Sequence, residues 1–160
     1  MDMDKAREAF LNVSVHLTGF NRAELLGTGM LAEYYDRVVS AIGDAASQEL
    51  WAINEKLDRI ERTDKDSSTL TDEIQGQLMS SKTLGPIARN IIKLWYWGSW
   101  PDEDAKFGGA FTSAQAYQQG LLWKAMGTHP QGAKQPGFGS WSKAPVKRTP
   151  QPTKSDEKTS

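Results

Sequence analysis

Cysteine is absent from the 160 residues. That excludes disulfides, thiolate nucleophiles, iron–sulfur clusters and cysteine-ligated zinc together, while leaving the compartment open. Histidine occurs twice, as His16 and His129, and neither has a carboxylate at metal-ligand spacing. His16, beside Leu17 on the first predicted helix, reads as a partly buried structural residue, and His129-Pro130 as a turn-forming pair rather than a catalytic one. No run of about 18 apolar residues exists, so direct membrane insertion is not expected. The opening Met1-Asp2-Met3-Asp4 is acidic where a secretory signal would be basic, and no export signal is read from the residues. A dinucleotide fingerprint, a P-loop and a nucleophile elbow are also missing. Gly137-Phe138-Gly139-Ser140 has no strand before it and no helix after it, so it does not form a phosphate cradle.

Net charge is nearly nil at −1, but its distribution is uneven. Residues 1–80 hold 8 Lys+Arg against 15 Asp+Glu, a net of −7; residues 81–160 hold 11 against 5, a net of +6. Such a dipole can orient the chain on a partner. It lacks the dense cationic clustering of a nucleic-acid surface, and no nucleic-acid partner is expected. Asp102, Glu103 and Asp104 make a carboxylate cluster in a predicted loop, where solvated charge outweighs acid–base work.

What the chain does have is helical periodicity and tryptophan. Its length suits one domain with a real core. Asp4 is a candidate N-cap for a helix whose Ala6, Phe10, Val13 and Leu17 share a face, with Gly19 as its stop. Asn21 with Glu24 makes a capping box. A second helix is predicted from there to Ile42, with Leu31, Tyr34, Val38 and Ile42 inward and Gly43 ending it. Asp44 opens a third, striped by Leu50, Ile53, Leu57 and Ile60; a polar loop spans Thr63 to Thr69, and a short helix carries Ile74 and Leu78. Leu84-Gly85-Pro86 begins the next helix, with Pro at its favoured first position, and Gly98 stops it. Thr112 or Ser113 caps a last helix through Tyr117, Gly120, Leu121 and Met126, ended by Gly127. The expected architecture is an all-α bundle of five to six helices over residues 1–127. An extended Gly/Pro-rich aromatic arm over 128–142 and a disordered tail over 143–160 complete it.

Six tryptophans, Trp51, Trp95, Trp97, Trp100, Trp123 and Trp141, exceed what such a core needs. Trp95 and Trp97 lie roughly 200° apart on a helix, so one faces the core and the other, with Trp100, is expected at the surface. Tryptophan is favoured at binding hot spots because it buries a large area and keeps a donor N–H. The competing reading is a single Trp-rich core onto which the arm folds back.

The segments RNIIKLWYWGSW at 89–100 and HPQGAKQPGFGSW at 129–141 resemble the small subunit of membrane-bound, FAD-dependent sorbitol and fructose dehydrogenases. Leu17-Thr18-Gly19-Phe20, Leu26-Gly27-Thr28-Gly29, Ala116-Tyr117, Gly120-Leu121 and Trp123 fit as well, so the resemblance spans roughly residues 8–141. Members of that family usually begin with a twin-arginine signal, and no Arg-Arg pair precedes Phe10. The resemblance implies a non-catalytic subunit that binds no cofactor itself and stabilises, matures and helps export a large FAD-containing subunit. It also implies a multihaem cytochrome c subunit and a periplasmic place at the inner membrane through these partners; the residues alone leave the cytoplasm open. Trp97, Trp100, His129, Lys134, Phe138 and Trp141 are the candidate partner contacts, and no catalytic, cofactor-binding or metal-ligating residue is expected. Two other readings are a dedicated chaperone that leaves the folded flavoprotein, and a free-standing enzyme built on His129 and the loop carboxylates.

Overall fold

The structure, a computed structural model, describes residues 2–63, 72, 76, 78–101 and 110–131, with the backbone alone over 57–63. Helix accounts for 75% of the described residues and no strand forms among them, so the class is all-α. The elements are α1 (Met3–Thr18), α2 (Arg22–Leu26), α3 (Leu31–Thr63), α4 (Leu84–Trp97), α5 (Ala114–Gln119) and α6 (Leu121–Ala125). Helix α1 packs on α3, α4 and α2, α3 packs on α4, and α6 packs on α4.

Helix α1 is central because its apolar stripe is wide. Ala6, Ala9, Phe10, Leu11, Val13 and Leu17 are all buried, enough to face two neighbours at once. Ser14 and Thr18 are buried with them, and their hydroxyls donate to the Phe10 and Ser14 carbonyls at 2.7 Å each, so burial strands no donor. The helix begins two residues earlier than Asp4 suggested, after Asp2, and Asp4 sits in the first turn where its charge complements the helix dipole. Gly19 ends it in the left-handed conformation, as expected.

The capping box at Asn21 forms in full. The Glu24 N–H donates to Asn21 Oδ1 at 2.9 Å, and the Asn21 N–H donates to Glu24 Oε2 at 3.0 Å. The helix it opens does not run to Ile42, however. It stops at Leu26, because the Thr28 hydroxyl donates to the Leu25 carbonyl at 2.7 Å and accepts the Met30 N–H at 3.1 Å. This side-chain bridge ends one helix and starts the next. Helix α3 then runs through Gly43, whose φ of 73° and ψ of 176° break the axis where a stop was expected.

Beyond that break the buried stripe is Ser47, Leu50, Trp51 and Asn54, with Ile53 only partly buried, so the inward face is turned toward Trp51. Leu57 and Ile60, placed on that stripe from the sequence, are among the side chains not described. The loop expected after Thr63, the helix around Ile74, the loop over 102–109 and everything past Gln131 also lie outside the described residues; Leu78 is buried. Pro86 is the third residue of α4 rather than the first, and the same logic covers it, since a first-turn N–H has no helical partner to lose.

An aromatic cluster joins the three long helices. The Phe10 ring stacks on Trp95 at 6.2 Å and meets Trp51 edge-on at 6.5 Å, while Tyr35 stacks on Trp51 at 6.0 Å. Tyr34 stands edge-on to Trp95 at 4.9 Å. The Tyr34 hydroxyl and the Trp95 indole N–H are both buried there without a hydrogen-bond partner. Desolvation, reinforced by the neighbouring Glu33 carboxylate, raises the Tyr34 hydroxyl well above its ordinary pKa.

This has a consequence for alkaline stability. The unfolded chain deprotonates Tyr34 near pH 10 and the folded chain does not, so its contribution is complete below about pH 10 and falls as pH rises further. Tyr34→Phe is expected to match or exceed the parent by up to about 3 kcal/mol, since an orphan polar atom is removed. It is also expected to lose stability less steeply above pH 10 in urea titrations. A clear loss at neutral pH would mean that the hydroxyl is hydrogen-bonded after all.

Candidate functional site

The site is built at the C-terminal end of α4. Trp95 is fully buried, and Trp97, half a turn further round, is 48% exposed, as the helical spacing requires. Gly98 ends α4 in the left-handed conformation, with a φ of 77°. Ser99 then forms an antiparallel bridge with Phe111. The Gly98 carbonyl accepts both the Thr112 N–H at 2.8 Å and the Thr112 hydroxyl at 3.1 Å. These bonds set Phe111, 43% exposed, against Trp97 with ring centroids 6.1 Å apart.

Helices α5 and α6 extend the row. The Ser113 hydroxyl caps α5 by accepting the Ala116 N–H at 3.0 Å. That places Tyr117 edge-on to Phe111 at 5.0 Å and to Trp123 at 5.3 Å. The Trp123 indole N–H donates to the Tyr117 carbonyl at 2.7 Å, which fixes the ring and leaves it partly exposed. The helix predicted as continuous from Ser113 to Met126 is divided at Gly120, whose ψ of 130° is extended. A Cβ on Gly120 would lie 2.8 Å from the Tyr96 carbonyl oxygen, and one on Gly98 would lie 2.5 Å from that of Ala116. Two missing side chains therefore let the segment 114–125 sit directly on the end of α4.

The result is a ladder of four rings, Trp97, Phe111, Tyr117 and Trp123, open to solvent at its Trp97 and Phe111 end. Met126, 64% exposed, follows α6. On the other flank Lys124 pairs with Glu24 at 2.9 Å and stands over the Phe20 ring at 5.8 Å, tying α6 to α2.

The predicted contact residues fare differently. Trp97 is exposed as expected. Trp100 is 6% exposed and belongs to the core, which corrects its placement at the surface; α4 ends at Gly98, so helical spacing no longer sets where Trp100 faces. His129 is partly buried, with Nδ1 3.4 Å from the Pro130 carbonyl, a local turn geometry. Lys134, Phe138 and Trp141 lie outside the described residues. Phe111 was not singled out from the sequence, since only the bridge to Ser99 brings it to Trp97. Among the described residues no group of three or more His, Asp or Glu side chains could hold a metal ion, and no helix is long and apolar enough to cross a membrane. No known protein family, curated protein or solved structure matches the chain.

Proposed function

We propose that this chain is a non-catalytic small subunit that docks a larger protein through the Trp97 end of the aromatic ladder. The observation that carries the reading is the pair Trp97 and Phe111, two large rings in contact and each more than 40% exposed. Water against such a patch is unfavourable, and covering one ring is worth about 1.5–3 kcal/mol by area alone. The ladder beneath it is held by caps and backbone bonds, so little ordering entropy opposes binding.

The sequence resemblance supplies the partner: the FAD-containing large subunit of a membrane-bound sugar or polyol dehydrogenase, assembled with a multihaem cytochrome c. FAD and haem then belong to those subunits, the role of this chain is to stabilise and help mature or export the large one, and the complex is periplasmic. Lys134, Phe138 and Trp141 on the arm, with His129 at its base, would add contacts beside Trp97.

Co-purification of the tagged chain with a co-expressed large subunit tests this. Trp97→Ala is expected to weaken capture by about 2 kcal/mol or more, roughly thirtyfold in affinity, with the melting temperature unchanged. Capture that survives Trp97→Ala combined with Phe111→Ser would overturn the docking surface. The stoichiometry of this chain in the purified, active dehydrogenase separates a retained subunit from a chaperone that departs.

A further inference from the structure

Helix α4 turns Trp95 into the core and Trp97 to solvent, and two cations share the outward side with Trp97. Arg89 and Lys93 are both exposed. At four-residue spacing they lie with Trp97 inside about 80° of arc and about 12 Å of helix length. Lys82, just before α4, is exposed as well. Residues 74–101 contain these three cations and no Asp or Glu, and residues 105–155 contain no acidic side chain either. The carboxylates between them, Asp102, Glu103 and Asp104, lie outside the described residues.

Neither cation on α4 is neutralised among the described residues. Arg7, Arg22 and Lys124 each have a carboxylate, on Asp36, Glu8 and Glu24 respectively. Lys93 makes no such pair with a described side chain. Arg89 donates from Nη1 to the Met79 carbonyl at 3.2 Å, a neutral acceptor that holds the guanidinium in place. Its other N–H groups meet no described acceptor, and a guanidinium fork so held suits a carboxylate taken through two parallel bonds.

We infer that the partner surface receiving Trp97 and Phe111 is acidic, with carboxylates set along α4 opposite Lys93 and Arg89. This rests on the docking reading and names the chemistry of what docks. A lone exposed lysine is an ordinary solvated group. Here two cations stand in line with two exposed rings, on a helix without one acidic residue, whereas the outer side of α3 mixes Asp36 with Arg37. Rings in contact supply affinity, and charges beside them govern the rate of approach and its orientation. A bilayer surface is the weaker fit. An interfacial helix lays a wide apolar face into lipid, and the wide apolar face of α4 is spent on the core.

Association kinetics of the full-length chain with the purified FAD-containing large subunit, at about 50 and about 300 mM salt, test the charge directly. The parent rate of association is expected to fall by about tenfold across that range. Lys93→Glu should lower it severalfold at the lower salt and flatten the salt dependence, with the dissociation rate and melting temperature unchanged. Arg89→Glu/Lys93→Glu should go further in the same direction. Trp97→Ala should do the opposite, speeding dissociation and keeping the salt dependence. Lys93→Glu that associates like the parent, while Trp97→Ala still weakens capture, would overturn the acidic partner and leave docking standing. Capture that survives Trp97→Ala combined with Phe111→Ser removes the docking reading and this inference together. Two further results would overturn it by assigning the face to another occupant. One is binding to phosphatidylglycerol vesicles that Lys93→Glu abolishes while capture of the large subunit is unchanged. The other is salt-sensitive self-association of the chain that the same variant abolishes.

Discussion

Trp95→Ala is expected to remove about 3–5 kcal/mol of folding stability, the range for truncating a fully buried large aromatic. A domain of this kind has only about 5–15 kcal/mol in total, so the variant should sit near its unfolding midpoint at modest urea. The size of the effect follows from position. Trp95 receives the Phe10 face from α1 at 6.2 Å and the Tyr34 edge from α3 at 4.9 Å, so one side chain on α4 joins all three long helices. Its indole N–H is buried without a partner, and Trp95→Phe should therefore cost much less than the alanine change. A loss below about 1 kcal/mol for Trp95→Ala in equilibrium denaturation would show that the three-helix junction is held elsewhere.

Gly98→Ala should produce the second large loss, and of a different kind. At φ 77° an L side chain is strained by about 1–2 kcal/mol. The new Cβ would also stand 2.5 Å from the Ala116 oxygen and 2.6 Å from its carbon, backbone atoms that can yield only if the 114–125 segment moves. Gly19→Ala separates the two causes. Gly19 has nearly the same φ of 71° and nothing within 4 Å of the added carbon, so it should show the strain alone. A total of about 3 kcal/mol is expected at Gly98, at the upper end of ordinary single substitutions. Hydrogen exchange should then show the Thr112 amide, bonded to the Gly98 carbonyl, losing protection while the α1–α3–α4 core retains it. Equal losses at Gly19 and Gly98 would rule out the close approach as the cause. The consequence for function is direct: detaching this segment removes Phe111 and Tyr117 from Trp97, so docking should fail along with local stability.

Local chemistry was legible wherever the chain states it within about four residues. The capping box at Asn21, the helix ends at Gly19 and Gly98 and the inward face of α1 follow from near-neighbour rules, and all are present, while the stop expected at Gly43 is a break within α3. The errors have equally local causes. Periodicity predicts one helix through Leu26-Gly27-Thr28-Gly29, whereas the Thr28 hydroxyl supplies the bonds that end one helix and begin another. Hydrophobicity places the stripe of α3 on Ile53, but packing turns Trp51, Ser47 and Asn54 inward.

The amino-acid order by itself determined that this is a helical chain with more aromatic surface at its C-terminal half than one helix face can hide, because periodicity and ring count are properties of neighbours in sequence. Which rings remain in water was decided only by the tertiary structure. Trp100 lies in the core beyond the left-handed end at Gly98, and Phe111 was carried to Trp97 by a backbone bridge across a dozen residues. Contacts of that separation depend on where whole elements pack, and two glycines that admit a carbonyl at van der Waals range settle it here.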